Sequence, residues 1–134
     1  MKGLNSKLVA WVPAVYVDET TGDVNKSFSV SVDKDWFLQN IHVNYVSSSE
    51  AGSRRLGVEI QGANSTVYGE LLVGASQAAS LTRRYELNPG AIDATTFRSG
   101  LLMTTLNPFV LKTGWKVRVF DNSTLGSTAD SMTV

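Results

Sequence analysis

A chain of 134 residues with no cysteine, one histidine and 12 basic against 12 acidic side chains excludes several functions before any pattern is read. Without cysteine there is neither a disulfide framework nor a thiolate metal site, and without a concentrated basic face there is no electrostatic footprint for nucleic acid. The length suits one domain over 1–134 with its own core, the 43% hydrophobic content excludes a membrane protein, and only 18% charged residues leave a surface poorly defended against association.

The charges are unevenly placed. Residues 1–53 carry four Lys/Arg against six Asp/Glu, and residues 54–118 carry eight against four, with Arg54-Arg55 and Arg83-Arg84 supplying half of those eight. Met1 to Lys7 reads as a flexible N-terminal arm able to lie over a neighbour. Leu8 to Asp18 reads as a first strand that Pro13 forces to an edge or a bulge, because proline cannot donate a ladder hydrogen bond. Thr20 to Asp23 turns into a strand over Val24 to Val32, and Trp36 to Ser47 is the longest strand expected, with Phe37, Ile41, Val43 and Tyr45 on one face. Gln39 falls on that same face and predicts a register change or bulge there.

Ser47 to Ser53 is a polar loop. Strands follow over Arg54 to Gln61 and Thr66 to Val73, then a loop over Gly74 to Ser80 and a strand over Leu81 to Leu87 with Arg83 as the misfit on its apolar face. Asn88-Pro89-Gly90 is a turn signal. Further strands fall at about Leu101 to Leu106, Phe109 to Leu111, Trp115 to Asp121 and Ser131 to Val134, the last after a Ser/Thr/Gly loop over Asn122 to Thr128. Tight turns after nearly every strand predict antiparallel pairing throughout. The fold class expected is all-β, an antiparallel two-sheet jelly-roll-like sandwich. Its core is expected to hold Phe28, Val30, Val32, Ile41, Val43, Tyr45, Leu56, Val58, Ile60, Trp115, Val117 and Val119.

Little here supports catalysis. His42 stands between Ile41 and Val43 on the polar face of its strand, which suits a surface or interface histidine, and one histidine cannot build a cupin-type metal site. Asp18, Glu19, Asp23, Asp33 and Asp35 match no calcium loop and read as turn-forming, solubilising acids. No catalytic, cofactor-binding or metal-binding residue is nominated. Partner contact is the expected use of six residues. Trp11 and Tyr16 are surplus aromatics suited to an interface. Arg54 and Arg55 follow the Gly52-Ser53 turn and project to opposite faces, so that one can pin the loop through its carbonyls while the other is free for a carboxylate of a neighbour. Arg83 and Arg84 complete the set.

Three stretches carry a resemblance. Trp36-Phe37-Leu38-Gln39-Asn40-Ile41-His42-Val43-Asn44-Tyr45, Ala51-Gly52-Ser53-Arg54-Arg55-Leu56-Gly57-Val58-Glu59-Ile60 and Leu111-Lys112-Thr113-Gly114-Trp115-Lys116-Val117-Arg118-Val119-Phe120-Asp121, with Ala129-Asp130-Ser131-Met132 at the end, resemble small virion proteins of tailed bacteriophages of the capsid decoration or cement type. The resemblance spans roughly residues 24–134, rests mostly on strand–turn–strand geometry, and implies no cofactor and no catalytic residue. It implies a non-enzymatic subunit on the capsid exterior, assembled in the host bacterial cytoplasm. Its expected partners are the major capsid protein and further copies of itself as homodimer or homotrimer, with no nucleic acid and no membrane. The alternative is a carbohydrate-binding or host-attachment module at the neck or tail.

Overall fold

In the computed structural model, residues 12–19, 25–91, 100–122 and 130–134 are described. Trp11, the arm over residues 1–7, the turn at 20–23 and most of the loop over 122–128 lie outside them. Ten strands follow in chain order: β1 (Asn25–Ser29), β2 (Trp36–Leu38), β3 (Ile41–Val46), β4 (Leu56–Gln61), β5 (Val67–Leu72), β6 (Thr82–Asn88), β7 (Leu101–Thr105), β8 (Phe109–Leu111), β9 (Lys116–Asp121) and β10 (Ser131–Thr133). No helix occurs among the described residues.

The strands form a sandwich-like arrangement. One sheet runs β1-β9-β4-β5, a second β10-β3-β6-β7, and β2 pairs with β8 in a small third sheet. Alternation along each strand sends one set of side chains into the space between the sheets. Val58, Ile60, Val117 and Val119 enter from the first sheet, and Ile41, Val43, Tyr45, Tyr85, Leu87, Leu102 and Met132 from the second. Leu111 is buried from β8, and Trp36, Leu38 and Phe109 pack against the same cluster. Burying a side chain of this size is worth about 1.5–3 kcal/mol.

Several expectations are corrected. Of the strand expected over Leu8 to Asp18, residues 8–11 lie outside the described set and Val12 to Asp18 forms no strand; it is mostly exposed and is tied down where the Asp18 main chain exchanges bonds of 2.8 and 3.2 Å with Val134. The long strand over Trp36 to Ser47 is two, because Trp36 and Leu38 face the core whereas Ile41, Val43 and Tyr45 do so with the opposite parity. The change of phase falls at Gln39-Asn40, and it leaves Phe37 on the outer surface. Val32 is 75% exposed, because β1 ends at Ser29 and the chain turns away after Val30. Lys26 is turned inward, wholly enclosed and 3.1 Å from Asp18.

Pairing is not antiparallel throughout. β6 and β7 run parallel, from Arg84 opposite Leu101 to Asn88 opposite Thr105. The turn signal at Asn88-Pro89-Gly90 opens a connection over 89–100, about the dozen residues that a parallel return needs. Two further aromatics are enclosed. Tyr85 is buried in the core, and Phe120 lies over Gly57 on the outer side of the first sheet. A Cβ at Gly57 would stand 2.5 Å from the Phe120 ring, so glycine is what allows the ring to lie flat on the strand.

Candidate functional site

Loops 47–54 and 73–81 and the chain around Asp121 and Asp130 meet at one end of the sandwich, around a buried polar hub. The peptide groups of Arg54 and Gln77 exchange bonds of 2.8 and 2.7 Å and form an isolated bridge, which brings both side chains inside. The Arg54 guanidinium is fully enclosed and every N–H has an acceptor. Nε donates to Asp130 Oδ2 (2.9 Å), Nη2 to Asp130 Oδ1 (3.2 Å) and Ser48 Oγ (2.9 Å), and Nη1 to the carbonyls of Glu50 (2.9 Å) and Gly52 (3.1 Å). Asp130 Oδ1 also accepts the Ser48 amide at 2.6 Å.

The Tyr45 hydroxyl lies 2.8 Å from Asp121 Oδ2 and 3.1 Å from Asp130 Oδ2, so its single proton is shared between two carboxylates. Beside it Gln77 Nε2 donates to the carbonyls of Tyr45 (3.1 Å) and Leu81 (2.8 Å), and its Oε1 accepts from the Tyr85 hydroxyl (3.0 Å). Burial pulls the Asp130 carboxyl upward, but the bonds from Arg54, Ser48 and Tyr45 outweigh it and hold the group at about 2. Burial and the neighbouring carboxylates push the Tyr45 phenol well above its ordinary value, and burial pushes Tyr85 up. A donor–acceptor set this complete stiffens the end of the fold; it presents no open position for a substrate.

The four arginines nominated as contacts therefore divide. Arg54 is part of the interior and reaches no surface, which corrects its assignment as a partner contact; its guanidinium is consumed by Asp130 and the loop carbonyls. Arg55 Nε donates to the Val73 carbonyl at 2.7 Å and Arg83 Nη1 to the Ser76 carbonyl at 2.9 Å. Together with the Arg54–Gln77 bridge, these three residues clasp the 73–77 stretch from different sides. Arg84 differs. It stands exposed on the outer face of β6, between Asn44 on β3 and Leu101 on β7, and its guanidinium has no ion pair or hydrogen bond among the described residues.

Around Arg84 the outer face of the second sheet is weakly charged. His42, Asn44 and Val46 of β3 and Thr82 of β6 are exposed, Glu86 stands opposite His42, and Leu101 and Met103 of β7 are half-buried. Tyr16 lies elsewhere, stacked on Trp36 with ring centroids 4.3 Å apart. A second exposed aromatic, Tyr68, stacks on Trp115 at 4.7 Å. Among the described residues no three His, Asp or Glu side chains gather closely enough to hold a metal ion, and no helix is long and apolar enough to cross a membrane.

No family model, no curated protein and no solved structure matches this chain. Asp130 and Gln77 escaped the sequence reading because each is one polar residue in a polar stretch. The usable signal was the loop-pinning role open to one arginine after Gly52-Ser53.

Proposed function

We propose that this chain is a non-enzymatic virion protein, a cement or decoration subunit that binds the outside of a phage head and bridges major capsid protein subunits. Support comes first from the resemblance in Trp36–Tyr45, Ala51–Ile60 and Leu111–Asp121. The observation that carries it within the fold is the pairing of a rigid end with an open, weakly charged face around Arg84. A cement subunit has to keep its shape under outward strain while contacting two neighbours, and two contacts on one rigid body turn modest affinities into firm retention. The jelly-roll connectivity belongs to this proposal. Pairings β1–β9, β2–β8, β3–β6 and β4–β5 nest as in a wound antiparallel ribbon, and the parallel β7 stands outside that scheme.

Cryo-EM of the source particle tests the reading directly, and purified particles without the protein end it. Arg84→Ser is expected to lower occupancy on particles while leaving the melting temperature unchanged. A second reading, a glycan-binding or host-attachment module at the neck or tail, is favoured by Tyr68, whose exposed ring on Trp115 is the kind of surface that stacks on a sugar. Quenching of tryptophan fluorescence by oligosaccharides, lost in Tyr68→Ala, would select it.

A further inference from the structure

Sheet edges expose rows of backbone donors and acceptors, and folded chains blunt them with charge, proline, brevity or a covering segment. Most edges here are treated in one of these ways. The main chain of Asp18 extends past β10 and bonds Val134 in both directions, β1 turns Lys26 inward, and β2 and β8 have three residues each. β7 closes the second sheet with five residues, Leu101–Thr105, and residues 92–99 before it lie outside the described set. β5 is the longest edge without such treatment. It closes the first sheet with six residues, Val-Tyr-Gly-Glu-Leu-Leu, without proline or lysine.

The phase of its free groups follows from one bond. Val73 N donates to the Leu56 carbonyl at 2.9 Å, so the narrow pairs with β4 fall at Val73, Leu71 and Gly69. Leu72 and Glu70 then direct their N–H and C=O away from the sheet, where no strand receives them among the described residues. The strand also exposes apolar surface, with Val67 at 47% and Tyr68 at 55%.

Gly69 is the independent sign. Glycine weakens a strand interior, and its usual warrants are a left-handed backbone, a crowded Cβ or the close approach of another backbone. Gly69 is not among the glycines with positive φ, and a Cβ built on it meets nothing within 4 Å. Packing among the described residues gives no reason for glycine there. Another backbone does.

We propose that β5 is a dimer interface, pairing antiparallel with β5 of a second copy to make one continuous eight-stranded sheet. A chain with 12 charges of each sign has no net field to repel its copy, and a two-fold contact is self-complementary by construction. Charge selects the register. Glu70 already faces Glu59 across β4, so an axis that set Glu70 against its own copy would add like-charge repulsion. With the axis at Leu71, Glu70 exchanges both of its bonds with Leu72 of the second copy, and Leu71 meets its counterpart on the core-facing side. Gly69 then lies opposite Val73 of the second copy in a close, non-hydrogen-bonded pair, where a missing Cβ gives room. The interface does not depend on capsid binding, since solution dimerisation and particle occupancy are measured separately.

Because the chain has no cysteine, one introduced thiol can cross-link only between copies. In Leu71→Cys the two thiols face each other across a pair whose Cα separation of about 4.5 Å falls within disulfide range. Rapid oxidation to a covalent dimer is expected for Leu71→Cys and not for Val46→Cys on the other sheet, with wild type sedimenting at twice the chain mass. Leu72→Pro removes one outward N–H and no bond to β4, so it should yield a monomer with an unchanged melting temperature. A monomeric wild type, or a dimer in which Leu71→Cys cross-links no faster than Val46→Cys, overturns the proposal.

Discussion

Arg54 and Arg84 are the same residue type at the margin of the same sandwich, and they behave as opposites. At the hub end every guanidinium donor of Arg54 meets an acceptor in the dry interior, and removing one member of such a set leaves a buried charge without its partner. On the outer face of the second sheet, Arg84 is solvated and contributes nothing that water does not replace. Stability resides in one region, the proposed contact face lies in the other, and burial separates the two arginines.

Breaking the enclosed side gives the largest effect. Arg54→Ala is expected to cost about 3–5 kcal/mol in denaturant unfolding, whereas the double variant Arg54→Met with Asp130→Leu should recover much of that loss, because no charge is then left unpaired. Acid probes the same region without mutation. The Asp130 carboxyl is held at about 2 against an ordinary 3.8, so its contribution is complete above the unfolded value and is lost as pH falls from 3.8 towards 2. Thermal melts across that window should lose about 2 kcal/mol, and Asp130→Asn should flatten the dependence.

Gly57→Ala tests a covered outer face against an open one. The new methyl displaces the Phe120 ring from its seat, for an expected cost of about 1–3 kcal/mol in the same assay. Arg84→Ser should change stability by less than about 0.5 kcal/mol. A larger loss would mean that Arg84 is structural after all, and the contrast with Arg54 would disappear.

Period-two alternation made the strands legible, and with them most of the core: Val30, Ile41, Val43, Tyr45, Leu56, Val58, Ile60, Val117 and Val119 are buried as expected. Parity also located the break at Gln39-Asn40, since a polar residue on an apolar face marks a change of phase. What alternation cannot report is pairing between distant residues. Arg54 reads as a surface cation until Asp130 is placed beside it. Lys26 reads as solvated until Asp18 lies within reach. Phe120 likewise looks misplaced unless the neighbouring strand is known to offer a glycine beneath its ring. The parallel return of β7 was hidden for a related reason, because a turn signal fixes a local reversal and not where a long connection ends.

The Arg54–Asp130 bond also sets a timetable for the nascent chain. Its partners are 76 residues apart, which at ribosomal elongation rates is an interval on the order of 4–15 s. Throughout that time Arg54 has been made and its carboxylate has not. The hub end has to stay open to water until Asp130 emerges, and closure of the sandwich there waits on translation.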